Sequence, residues 1–267
     1  MNIKRTRIIA ISSGKGGVGK TFLTLQLAAA LVDLKKQVVL FDGDFGLANV
    51  HVLLGLKPEN DVSAVVAGQR RLQDILIEGP RGIRIIPGAS GLREMAELDA
   101  VGLARLLQGV GSITPLPDYI LIDTGAGIGP HVTTLARLAD ILMVVVRDEA
   151  ASLADAYGLI KVMHRDFGLQ RIEIVVNDST DSRRADEVFQ RLNDVTTRFL
   201  GLPVSYAGTI PRDAAVTAAA RRRQLLLEYT PKSPAGIAIN KIAARVVALP
   251  AETGEWSFLV DQMAQVT

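Results

Sequence analysis

Seven short runs in this chain are apolar at nearly every position: "RIIAIS" (7–12), "QVVLFD" (37–42), "IRIIPG" (83–88), "DYILID" (118–123), "DILMVVV" (140–146), "IEIVVN" (172–177) and "VSYAGTI" (204–210). A strand with one wet face alternates apolar and polar residues. A strand apolar throughout is buried on both faces, which requires a parallel sheet covered by helices. Between the runs lie stretches of helical period such as "KTFLTLQLAAALVDL", "GPHVTTLARLA" and "SLADAYGLIKVMHRDF". Strand and helix alternating six or seven times predict an α/β fold: a doubly wound, mostly parallel sheet of seven to eight strands with helices on both faces. With 267 residues, 48% of them hydrophobic, the chain can bury one large core. No composition shift, repeat or low-complexity segment divides it. Residues 1–249 are read as that domain and 250–267 as a tail.

The first strand runs into "SSGKGGVGKT" (12–21), and a helical stretch follows at once. Residues 14–21 fit G-x-x-x-x-G-K-[ST], with Gly14, Gly19, Lys20 and Thr21 at the fixed positions, in the strand-to-helix context the motif needs. Glycines let backbone N–H groups turn toward a phosphate, and the helix N-terminus adds partial positive charge there. Lys20 then reaches the β- and γ-phosphates and Thr21 ligates Mg²⁺. Lys15 has no such duty within one chain. From the loop alone it is either a solvated lysine or a cation that reaches a neighbour's site.

Asp42 and Asp44 stand two apart where an apolar strand ends, and Asp123 ends another. Ligands of open α/β sheets bind at that edge. Phosphoryl transfer needs an acceptor to orient the attacking water and a carboxylate near the metal. Guanine readers of this class carry N-K-x-D after a late strand. "VVNDSTD" supplies Asn177 but no lysine next and Thr180 in place of the aspartate, so ATP is expected rather than GTP.

Charge and composition exclude several classes. Lys+Arg 30 against Asp+Glu 28 leaves +2, too little for a general attraction to nucleic acid. With no cysteine there is no disulfide framework, thiolate metal site or cysteine nucleophile. His51, His131 and His164 show no metal-ligand spacing and are read as structural. Arg221, Arg222 and Arg223 are read as a solvated helix end, and nucleic acid is not an expected partner. The apolar run near the N-terminus is too short for a signal peptide, and no stretch approaches a membrane span. A soluble, cytoplasmic protein is expected.

"KGGVGKT" resembles the deviant Walker A box of the MinD/ParA family of dimerising ATPases. "FDGDFGLANVHVLLGL" (41–56) is similar to that family's first switch, and "DYILIDTGAGI" (118–128) to its Walker B and second switch. "EAASLADAYGLIK" (149–161) and "GTIPRDAAVTAAARRR" (208–223) match in order. The wording of several segments looks most like the flagellar-number branch, FlhG/FleN. The resemblance implies a P-loop fold, Mg·ATP as cofactor, slow hydrolysis and an ATP-dependent homodimer. It implies that Gly14 to Phe22 (Lys15, Gly16, Gly17 and Val18 included) hold the phosphates and that Lys15 enters the partner subunit's site. It makes Asp44 the water-orienting residue. Asp42 supports the phosphate site, and with Thr21 and Asp123 it makes up the metal set. Asn177 and the backbone around Pro211 and Asp213 cradle adenine.

The implied output is a monomer–dimer switch that controls position or number of a cellular structure, flagellar by that branch. The implied protein partner is a flagellar GTPase, a basal-body component or a transcription regulator. A regulatory module with negligible turnover and a DNA-segregation ATPase are the rival outputs. Phe22, His51, Arg147, Asp148 and Asp178 depart from the family's usual residues, and none of them removes a phosphate or metal group. With six residues ahead of the first strand, the branch's N-terminal arm that stimulates a GTPase is not expected. The tail places Trp256, Leu259, Val260 and Met263 at helical spacing. Its polar residues include Glu255 and Asp261 and no Lys or Arg, which favours packing against protein over the membrane surface.

Overall fold

The computed structural model describes residues 6–45, 49–89 and 100–250. All seven apolar runs form strands: β1 (Arg7–Ser13), β2 (Val38–Gly43), β4 (Arg84–Ile86), β5 (Tyr119–Ala126), β6 (Ile141–Val146), β7 (Ile172–Ser179) and β8 (Ser205–Pro211). An eighth, β3 (Ile77–Glu78), lies outside those runs. The eight form one sheet in the order β3-β4-β2-β5-β1-β6-β7-β8. All neighbours pair parallel except β3 with β4, which are antiparallel.

The two-sided burial expected from the sequence is visible residue by residue. In β1, Ile8 and Ala10 enter one core while Ile9 and Ile11 enter the other. In β6, Leu142, Val144 and Val146 face the first core, and Ile141, Met143 and Val145 the second. The helices Ala150–Phe167 and Ser182–Leu200 help cover the first face; α1 (Lys20–Asp33) and the helix Pro234–Ala248 cover the second.

Helix α1 carries leucines at 23, 27 and 31, four apart and therefore on one side, each fully buried. Each is worth about 1.5–3 kcal/mol of burial, so the helix is held firmly against the sheet and its first residue, Lys20, is fixed in place. The helix stops where Leu34 N–H still reaches Ala30 O and Lys35 turns left-handed at φ 62°.

β1 lies between β5 and β6, so the chain crosses over β1 on its way from β5 to β6. That crossing makes the sheet's order reverse at β1. A crevice opens at the C-terminal strand ends at such a point, and the glycine loop starts there. Among the described residues, no helix is long and apolar enough to cross a membrane. The tail pattern at 256–263 lies outside the described residues, as do positions 46–48 of the first switch.

Candidate functional site

The loop between β1 and α1 turns on Gly17 (φ 76°) and Gly19 (φ 101°), backbone conformations that side-chain-bearing residues rarely adopt. Its first glycine, Gly14, is required for a different reason. A Cβ there would lie 2.1 Å from the backbone carbon of Asp155, so the loop starts in direct contact with the helix Ala150–Phe167. At the other end Asn177 of β7 donates its side-chain N–H to Val18 O at 2.8 Å. Asn177 Nδ2 would sit only 2.2 Å from a Cβ on Gly19. Asn177, expected beside adenine, is thus first a brace for the phosphate loop. No side chain caps α1, which leaves its first-turn N–H groups facing the loop.

Lys20 is 8% exposed, and Asp42 and Asp123 are 0% and 1% exposed. Asp42 and Asp123 are register partners on β2 and β5, so two carboxylates lie side by side at the strand ends. Burial lowers the Lys20 pKa, against the pull of Asp123 and Asp44. Burial pushes Asp123 up to about 6, opposed by Thr21 and Lys20, and Asp42 up to about 7. Asp42 Oδ2 accepts the Val50 N–H at 3.0 Å, which ties the first switch to β2. Its Oδ1 is buried and has no partner among the described residues. A buried carboxylate oxygen without a donor calls for a cation or an ordered water.

Thr21, Asp42 and Asp123 offer only oxygen, the donor a hard cation takes. Among the described residues no group of three or more His, Cys, Asp or Glu could hold a metal. Mg²⁺ keeps waters and phosphate oxygens among its ligands and is bound through one or two carboxylates. Bound here, the ion would neutralise charge on the transferring phosphoryl group.

The raised carboxylate values carry a pH signature. The folded chain keeps protons that the unfolded chain releases, so Asp42 costs stability as pH rises from about 4 through about 7. Ionised and without a cation it costs on the order of 4 kcal/mol. Asp42→Asn is therefore expected to stabilise the nucleotide-free protein by roughly 1–4 kcal/mol at about pH 8, with little effect near pH 4. Thermal melts at both ends of that range, with and without Mg·ATP, check this. A variant that melts lower at high pH than the parent contradicts it.

The Lys15 side chain pairs with a residue outside the glycine loop. Its Nζ donates to Glu149 Oε2 at 2.7 Å, with the two side chains 43% and 40% exposed. It therefore rests on its own chain rather than in free solvent. The rim continues through Arg147, which pairs with Asp178. Asp178 in turn accepts from Arg212 Nε at 2.9 Å and Nη2 at 3.1 Å. Hydrogen bonding from Arg212 is the largest cause that lowers the Asp178 pKa. The departures at 147 and 178 thus compensate each other.

Pro211 ends β8. The Asp213 carboxylate is taken by the N–H groups of Ala215 (2.9 Å) and Ala235 (3.0 Å). That carboxylate is thus committed to backbone donors. Phe22 packs at the edge of the second core. His164 Nδ1 lies 3.1 Å from Leu169 O, a structural contact. Asp148 lies 3.8 Å from Arg184.

Two participants are not apparent from sequence. Thr24 donates to Asp123 Oδ1 at 3.2 Å; its signal is a place three residues past Thr21 on one helix face. Glu149 finds Lys15 across 134 positions and has no local signal.

Residues 9–226 match the family described as the CobQ/CobB/MinD/ParA nucleotide binding domain. The chain is 40% identical to the antiactivator FleN of Pseudomonas aeruginosa over 262 residues, which is 97% of this chain and 94% of that protein. It is 31% identical to the flagellum site-determining protein YlxH of Helicobacter pylori, over 95% of this chain and 85% of that one. Its structure is similar to the septum site-determining protein MinD of Pyrococcus horikoshii complexed with Mg-ADP. The TM-score there is 0.76 at 27% identity, covering 91% of this chain and 96% of the other. With the glycine loop braced at both ends, the lysine among buried carboxylates and these likenesses together, the chain belongs to the MinD/ParA family of P-loop nucleotide-binding proteins.

Proposed function

We propose that this protein is a magnesium-dependent ATPase that closes into a face-to-face homodimer on ATP and uses that switch to regulate flagellar number or placement. One observation carries the reading: the loop's two lysines have different surroundings. Lys20 is buried against Asp123 and Asp44, where it serves its own site. Lys15 is 43% exposed and pairs with Glu149 instead, which leaves it available to a second subunit's phosphate. Residues 1–249 form the ATPase domain and 250–267 a tail. Gly14 to Phe22 hold the phosphates, and Thr21, Asp42 and Asp123 hold Mg²⁺. Asp44 orients the attacking water, and Asn177, Pro211 and Asp213 line the base.

Likeness to a protein named antiactivator supports an activator as the partner, and likeness to a flagellum site-determining protein supports the flagellar setting. The protein acts in the cytoplasm, with any membrane contact peripheral.

The test is Asp44→Ala. ATP binding is expected to stay near the parent's while phosphate release falls by about 10²–10⁴-fold. The ATP-bound dimer then accumulates and is seen by size exclusion. Equal turnover in variant and parent sinks the role given to Asp44. A parent with no turnover but ATP-dependent partner binding replaces the ATPase with a nucleotide-controlled binding module.

A further inference from the structure

Past Asp123, β5 continues through Thr124, Gly125 and Ala126 before the chain turns into the short helix Pro130–Ala136. Gly127 N–H bonds Ser13 O at 2.9 Å, which holds this turn against the start of the phosphate loop. The first turn of that helix carries His131, whose ring folds back over the turn it has just left. A Cβ on Gly129 would meet the ring at 3.0 Å, and a Cβ on Gly125 would lie 3.2 Å from His131 Nε2. The same Gly125 position lies 3.4 Å from Asp44 Oδ1. Glycine therefore leaves open the space between an imidazole nitrogen and the carboxylate assigned to the attacking water. Val132 Cγ2, at 3.4 Å, lines the same spot and is apolar. Among the described residues the His131 ring makes no hydrogen bond that would commit it elsewhere.

We propose that His131 is a positioning residue for hydrolysis: its Nε2 holds the Asp44 carboxylate, directly or through one water, in the orientation that aligns the attacking water. This rests on the ATPase reading of the site and adds a residue to it. Asp44 lies one residue past the end of β2 and within the first-switch segment, so strand pairing does not hold it. A water-orienting carboxylate serves only while its rotamer is held, since a misplacement of about 1 Å costs up to 10²-fold in rate. An imidazole N–H on one oxygen leaves the other for the water, which is the arrangement of a base oriented by a third group. His131 touches neither phosphate nor metal in this scheme, so its removal spares ATP affinity.

Four proteins test it: the parent, His131→Leu, His131→Gln and the double variant His131→Leu/Asp44→Ala. His131→Leu is expected to lower kcat by roughly 10–10²-fold with KM for ATP and ATP-dependent dimerisation unchanged. His131→Gln keeps a side-chain N–H and should recover part of the rate. In the Asp44→Ala background the leucine substitution should cost nothing further, because the group it positions is gone. The proposal is overturned by full turnover in His131→Leu, by a loss confined to KM, by no recovery in His131→Gln, or by an equal loss with and without Asp44. A parent that does not hydrolyse ATP overturns the ATPase reading instead and takes this proposal with it.

Discussion

Lys20→Ala is expected to weaken ATP binding by roughly 10²–10⁴-fold, which at ordinary concentrations abolishes it. The figure follows from losing two charge-assisted hydrogen bonds to phosphate at about 1.5–3 kcal/mol each. The structure adds a second consequence. Burial raises the Asp123 pKa, and the Thr21 hydrogen bond and then the Lys20 charge oppose that rise. Alanine leaves Asp42, Asp44 and Asp123 facing one another with that charge gone. At neutral pH Asp123 then takes up a proton more readily, so Mg²⁺ binding weakens along with phosphate binding. Calorimetry with Mg·ATP measures the first effect. A nucleotide-free melt run beside it separates lost binding from lost folding. A folded variant with the parent's affinity removes Lys20 from the site.

How much of this was legible depends on distance along the chain. The strand, glycine loop and helix around residues 7–33 read directly, because burial pattern and motif are local there. The β3 strand did not, because two residues carry no periodicity and their pairing with β4 is a tertiary event. Asp42 and Asp123 could be placed at strand ends, but not side by side. Their register is set by how β2 pairs with β5, which no spacing records. Asn177 was legible as a nucleotide residue and not as a brace on Val18, which lies 159 positions away. His131 was read only as structural, since it comes near Asp44 across Gly125 only through the fold. Arg147 and Asp178 looked like two unconnected departures in sequence. In the fold they are one ion pair joined by Arg212.

Lys15→Ala is expected to bind ATP nearly as the parent does, to dimerise weakly and to hydrolyse slowly. Removing one donor to developing charge costs roughly 10²–10³-fold in kcat. The Lys15–Glu149 pair shows that the lysine of the single chain is parked on its own surface. Both side chains are well exposed, so solvent screens the pair and leaves the lysine free to exchange it for a partner's phosphate. A cation that arrives only when two subunits close ties chemistry to assembly. Mixing Lys15→Ala with Asp44→Ala subunits tests this. In a mixed dimer the Lys15→Ala subunit keeps its own Asp44 and receives an intact lysine from its partner. That one site is complete, and the other lacks both groups. Each mixed dimer has one complete site of its two, so partial turnover should return in proportion to the mixed dimers formed. If Lys15 acts within its own chain, every site lacks one group and mixing restores nothing. Mixed dimers shown by differential tagging, with no recovered turnover, would reduce Lys15 to a surface lysine paired with Glu149.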